Sequence, residues 1–370
     1  MTNTQRTLAV LNYEKYDRLP LVHFGFWRET IEKWHNEGHI DAETAQNVTD
    51  NSPNEHKIIQ ELGFDFGWNI QYGGNSDIYP MFERKVLEEK PDGTRLVRNV
   101  HGVIELEKPG VVSIPAEVGH TLTDRESWEK EFKPRMQFSA DRINKELLKQ
   151  LTDGEHESPV GLHCGSLFGR IRDWLGVENV SYLYMDDEDL YDEIIDTVGN
   201  MSYECAKAVL ETGAKFEYAH FWEDICFKNG PLVIPAVFDE KVGPYYKKIT
   251  DLVRSYGINI ISLDCDGLID KLIPTWLENG VNTMFPIEVG TWNANIRPWR
   301  EQYGKELRGV GGMNKTVFAQ DYAAIDREVE RLRGLVELGG YIPCPDHRIA
   351  PDAIWENVQY YCDKMHKVFG

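Results

Sequence analysis

Acids, histidines and thiols gather at a few points of this 370-residue sequence, each directly after a short apolar run. The points are His163-Cys164-Gly165, His220-Phe221-Trp222-Glu223-Asp224, Asp264-Cys265-Asp266-Gly267 and Cys344-Pro345-Asp346-His347-Arg348. Carboxylates and imidazoles brought together can hold a divalent cation, and zinc accepts both while leaving a position open for substrate. They can also move protons. The candidate metal ligands are Glu223, Asp264, Asp266 and His347, and the candidate catalytic residues are His163 and Asp264. Ligands on separate runs carry no diagnostic spacing. Plainer readings therefore stay open: Asp266 as a helix cap, His163 as a core histidine, and Asp346-His347-Arg348 as a loop-ordering cluster.

The elements that must position these residues are short. β-type runs occur at residues 19–27, 66–71, 159–164, 216–222, 259–265, 281–287, 307–312 and 340–344. Helical patterns occupy 186–211, 238–256, 268–279 and 321–338, with Gly280 and Gly339-Gly340 as stop signals. Alternating strands and helices predict a parallel sheet covered by helices. Eight such units predict an α/β fold of the (β/α)8 TIM-barrel type, one domain over 1–370, with its chemistry at the strand ends. Strand periodicity puts Ser262, Asp264 and Asp266 toward the mouth and Ile261, Leu263 and Cys265 toward the helices. It also turns His163 to the mouth, opposite Val160, Leu162 and Cys164. Trp27, Arg28, Trp68 and Trp222 are the expected substrate contacts, although the aromatics would serve equally as barrel packing.

One stretch breaks the alternation. Apolar and charged residues interchange across residues 81–109 around Lys90-Pro91-Asp92-Gly93, a turn sequence, with a second turn expected near 99–102. This predicts a two- or three-stranded antiparallel insertion after the second strand, within about residues 72–118. It is expected to cap the mouth or to form a subunit contact, which leaves a homodimer open.

Composition narrows the partners. Lys and Arg number 40 against 61 Asp and Glu, a net charge of −21, which disfavours nucleic acid and anionic membranes. No apolar run is long enough to span a bilayer, and no signal peptide is visible. The six cysteines form no CxxC pair and are expected to be free thiols in a cytoplasmic protein. Gly309-Val310-Gly311-Gly312 lacks dinucleotide-binding spacing, and no P-loop or G-x-S-x-G elbow occurs.

The chain resembles the uroporphyrinogen decarboxylase superfamily over nearly its full length. The matching stretches are Asn12-Tyr13-Glu14-Lys15-Tyr16-Asp17-Arg18-Leu19-Pro20, Glu223-Asp224 with Asn229-Gly230-Pro231-Leu232, and Asp264-Cys265-Asp266-Gly267. Phe285-Pro286-Ile287-Glu288, Gly311-Gly312 and Gly340-Tyr341-Ile342-Pro343-Cys344-Pro345-Asp346-His347-Arg348 complete them. The resemblance implies a (β/α)8 barrel. True decarboxylases carry an Arg-Gln-Ala-Gly-Arg type segment after strand one, where this chain reads Phe24-Gly25-Phe26-Trp27-Arg28-Glu29-Thr30. The resemblance is therefore to the corrinoid-dependent methyltransferase branch, the O-demethylase methyltransferase I type. It implies zinc held at the positions of Asp264, Asp266 and His347, with Glu223 as a fourth ligand. This chain departs from the branch's thiolate ligands, and harder oxygen and imidazole donors suit an oxygen-containing substrate. The implied reaction moves a methyl group from a methoxylated, aromatic compound to the cob(I)alamin of a separate corrinoid-binding protein. The alternative is a lyase that decarboxylates a small carboxylated substrate, with Asp264 as acid and Arg28 or Arg348 holding the carboxylate. A non-catalytic binding barrel is a third reading.

Overall fold

Runs buried on both faces build the central sheet. Ile260–Asp264 reads Ile-Ile-Ser-Leu-Asp and Tyr341–Pro345 reads Tyr-Ile-Pro-Cys-Pro, both buried throughout. Burial on both faces belongs to parallel strands covered by helices. A computed structural model describes residues 1–108 and 115–370. In it, seven strands lie side by side in the order Gln71–Gly73, Gly161–His163, Tyr218–Trp222, Ile260–Asp264, Thr283–Phe285, Arg308–Met313 and Tyr341–Pro345. All six neighbouring pairs are parallel. Val22–His23 pairs in parallel with Phe66–Gly67. The run at 66–71 is thus two short strands, each bonded to a different neighbour. Phe26 bridges Ile349 beyond the last strand, where the Trp27 N–H donates to the Ile349 carbonyl (3.2 Å) and the Ile349 N–H to the Gly25 carbonyl (3.0 Å). The architecture is α/β with a mostly parallel central sheet.

The helices follow from caps and apolar stripes. Asp187 caps Glu188–Leu210 by accepting from the Leu190 N–H, and Leu190, Ile194, Val198, Met201, Cys205 and Val209 form its buried face. Each such side chain contributes roughly 1.5–3 kcal/mol on burial. The predicted helix at 238–256 is two, Pro235–Lys241 and Gly243–Ser255, because Pro244 removes an amide donor and starts a new first turn. The helix expected over 268–279 covers only Ile273–Glu278, again opening beside a proline.

A separate four-stranded antiparallel sheet consists of Lys85–Glu89, Arg95–Arg98, Val103–Glu107 and Ala116–His120, paired in chain order. The turn at Gly93 forms, with φ +81° and its N–H donating to the Lys90 carbonyl (2.9 Å). The fourth strand exceeds the sequence expectation, because Ala116–His120 holds too few apolar residues to alternate visibly. Residues 109–114, inside the expected insertion, lie outside the described residues. Among the described residues, no helix is long and apolar enough to cross a membrane.

Candidate active site

Three aspartates converge where two neighbouring strands end. Asp264 closes Ile260–Asp264, Asp266 follows two residues on, and Asp224 lies two residues beyond Tyr218–Trp222. One carboxylate oxygen from each lies within 4.8 Å of the others. Asp224 has φ +50°, a left-handed conformation that costs energy for a residue with a Cβ. The Asp266 N–H donates to Asp224 Oδ1 (3.0 Å), which helps hold that strained position. His347 Nε2 stands 3.3 Å from Asp266 Oδ2. Its ring stacks on Trp27 (5.4 Å, 17°) and meets the edge of Phe24.

The acids around the mouth divide by whether their oxygens already have donors. Glu288 accepts from the Gly267 N–H (2.7 Å) and the Trp292 indole (3.0 Å). Asp346 accepts from the backbone N–H groups of Val289, Gly290 and Lys315. Asp264 is 8% exposed, and among the described residues its carboxylate accepts no hydrogen bond. Asp266 Oδ1 is buried without a partner. A buried carboxylate without donors is costly in its charged form. Burial, then the neighbouring charges of Asp224 and Asp266, push the Asp264 carboxyl well above the usual carboxylate range. Burial and the Asp266 charge push Asp224 up to about 7, against the opposing Asp266 amide, Arg172 and His347. Asp224 and Asp264 therefore do not both ionise near neutral pH unless a cation offsets the charge.

Glu223 is the correction to the expected ligand set. Its carboxylate is fully buried and accepts from the N–H groups of Leu167 (2.9 Å), Phe168 (2.9 Å) and Gly169 (2.6 Å), from Ser166 Oγ (3.2 Å) and from the Tyr246 hydroxyl. It thereby satisfies the Gly169 amide that opens the helix Gly169–Leu175 and the two amides just before it. A Cβ on Gly169 would sit 1.9 Å from the Glu223 carbonyl oxygen, so only glycine permits this approach. Asp224, rather than Glu223, lies with Asp264 and Asp266. The signal was present in the sequence: with His220 and Trp222 facing inward, strand parity points Asp224 inward and Glu223 outward.

The expected substrate contacts separate. Trp222 borders a cleft of about 400 Å³ together with His163, Arg170, Asp77, Met81 and His101. Trp222 is also the ladder partner of Asp264, so cleft and carboxylates adjoin. Burial, then the Arg170 charge, pushes the His163 imidazole down to about 4, which keeps it neutral, and its Nδ1 is buried without a partner. Trp27 touches the site through His347. Trp68 does not reach the mouth: it is fully buried and stacked on Tyr218 (4.4 Å) in the sheet interior. Arg28 also turns away, bonding Glu32 (3.1 Å) and the Ala45 carbonyl (2.6 Å). Arg348 is held by both oxygens of Asp50. His101, carried by a turn of the antiparallel sheet, was not foreseen at the cleft because only tertiary packing brings it there.

The chain belongs to the uroporphyrinogen decarboxylase family, whose model matches residues 122–368. Its fold is similar to that of a methyltransferase from Methanosarcina mazei, 16% identical over 100% of this chain and 99% of that one, with a TM-score of 0.61. A B12-independent methionine synthase from a Shewanella species is 10% identical over 95% of this chain and 98% of that one, with a TM-score of 0.48. A comparison with curated proteins gives no match.

Proposed function

We propose that this chain is a corrinoid-dependent methyltransferase of the O-demethylase methyltransferase I type. It takes the methyl group of a methoxylated, aromatic donor and delivers it to the cob(I)alamin of a separate corrinoid-binding protein in the cytoplasm. Residues 1–370 are read as one (β/α)8 domain, the sheet closing through Phe26 and Ile349, with the antiparallel sheet as its insertion. The observation that carries the reading is the Asp264 carboxylate, buried and without a donor inside a cluster of three.

That donor set fits a divalent cation, and zinc takes carboxylate and imidazole ligands. Asp224, Asp264 and Asp266 would hold it, with His347 beside Asp266. When bound, zinc supplies a Lewis acid for an ether oxygen, whose alkoxide is otherwise a poor leaving group. The protein's own groups do the rest. Trp27 and Phe24 fix the His347 ring by stacking and edge contact. The cleft beside Trp222 is large enough for a one-ring donor. His163, neutral and lining the cleft, would give the donor oxygen a hydrogen bond from its ring N–H.

Metal analysis of the purified protein and assays of methyl transfer from methoxylated aromatics to cob(I)alamin test this reading. Bound zinc near one equivalent and transfer lost in Asp264→Ala and His347→Ala support it. Metal-free protein whose transfer survives both substitutions refutes the metal role. The raised carboxyls of Asp224 and Asp264 favour a second reading, since a protonated acid can serve a lyase directly. Carbon dioxide release without corrinoid would select it. The arginines that reading needs for the substrate carboxylate, Arg28 and Arg348, are both engaged elsewhere.

A further inference from the structure

The cleft beside the carboxylates has an unusual charge arrangement. Arg170 is the one lysine or arginine in its wall among the described residues. Its Nε lies 3.0 Å from Asp77 Oδ2 and its Nη1 3.0 Å from Asp173 Oδ2. Its guanidinium face covers the Trp222 ring at 5.3 Å. Asp77 in turn stands 3.1 Å from His101 Nδ1. Two edges and one face of the cation are therefore engaged; Asp173 is shared with Arg172 (2.9 Å), so two carboxylates offset two guanidinium charges. The cluster of Asp224, Asp264 and Asp266 adjoins the cleft behind Trp222, the ladder partner of Asp264, and adds no cation to its wall. An entering carboxylate would lose its water, meet Asp77, and find no free cation in the wall. A neutral polar molecule carries no such penalty.

We propose that this cleft selects uncharged polar methyl donors and rejects carboxylated ones, with Asp77 and Arg170 as the specificity-determining pair. The inference rests on the methyl-donor reading above. Selection of this kind works against the unwanted ligand by leaving its own charge desolvated and unpaired. It also gives the antiparallel sheet a role, because its turn supplies the His101 that borders Asp77.

The test is calorimetric binding of a matched pair, 4-methoxybenzyl alcohol and 4-methoxybenzoate, with methyl transfer to cob(I)alamin followed in parallel. Wild-type protein is expected to bind the alcohol at least about tenfold more tightly than the benzoate. Asp77→Asn and Asp173→Asn each free one edge of Arg170, and each is expected to narrow that ratio about fivefold or more by improving benzoate binding. Asp173 lies outside the cleft wall, so its variant keeps the test intact if Asp77→Asn fails to fold. Equal binding of the pair by wild type, no measurable binding of either ligand, or an unmoved ratio in the folded variants overturns the inference. Methyl transfer without discrimination leaves the methyltransferase reading standing. Discrimination without transfer leaves the cleft's selectivity standing and removes that reading.

Discussion

Replacing Asp224 by asparagine should stabilise the metal-free protein, and the structure gives the size and sign. The Asp224 carboxyl rises from an ordinary 3.8 to about 7, through burial first and the Asp266 charge second. Each pH unit is ~1.4 kcal/mol, so the difference corresponds to ~4 kcal/mol between the two protonation states. Because the folded value is raised, the folded chain holds this proton more tightly than the unfolded chain does. The stability it contributes is complete below pH 3.8 and is lost as the pH rises to about 7. Asp264 shifts in the same direction and shares the cluster's protons, so the effect assigned to one carboxyl is ~2–4 kcal/mol at pH 8. The assay is urea unfolding at pH 5 and pH 8, with chelator, of wild type and Asp224→Asn. The variant should gain over wild type between the two pH values and be the more stable at pH 8. Zinc at a hundred times its dissociation constant should then restore ~2.7 kcal/mol to wild type and much less to the variant. A variant equal to or weaker than wild type at pH 8 in chelator would refute the idea that the three carboxylates repel one another.

Other substitutions separate the site from its supports. Gly169→Ala forces a methyl group to 1.9 Å from the Glu223 carbonyl, and urea unfolding should show a loss of ~1–3 kcal/mol or more. Glu223→Gln should lower stability by ~1–3 kcal/mol while zinc content in the folded protein stays unchanged. His347→Ala removes the partner of Asp266 and the stack on Trp27, and competition with a chelator should show zinc affinity reduced ~10–100-fold. Arg28→Ala breaks an exposed i,i+4 pair and a bond to the Ala45 carbonyl, so unfolding should change by ~0.5–1.5 kcal/mol and methyl transfer not at all.

What the sequence made legible is what periodicity and chain order encode. Alternation in Ile260–Asp264 sets Asp264 and Cys265 on opposite faces, and Cys265 is buried as the pattern requires. The alternating strands and helices likewise announce a mostly parallel sheet. Local choices between neighbours are harder. Glu223 and Asp224 are both acids at a strand end, and only parity, together with the amides waiting at Leu167, Phe168 and Gly169, separates them. Arg28 looked like a mouth residue from its position, yet it opens the helix Arg28–Asn36 and finds Glu32 one turn on. Trp68 was placed by its strand but not by depth, since stacking on Tyr218 depends on a partner 150 residues away. His101 reaches the cleft from a different sheet, and no short-range pattern records that contact.

The adjacency of Glu223 and Asp224 has a mechanical side. One peptide bond joins the carboxylate that grips the helix Gly169–Leu175 to the carboxylate that belongs to the aspartate cluster. That same helix carries Arg170, the guanidinium over Trp222. Because close-packed interiors resist even small shifts, a displacement of Asp224 would be felt through Glu223 at the cleft wall that Arg170 and Trp222 form. If the aspartates hold a cation and the cleft a ligand, residue 223 is where the two would be coupled, and ligand affinity should then report the occupancy of the aspartates.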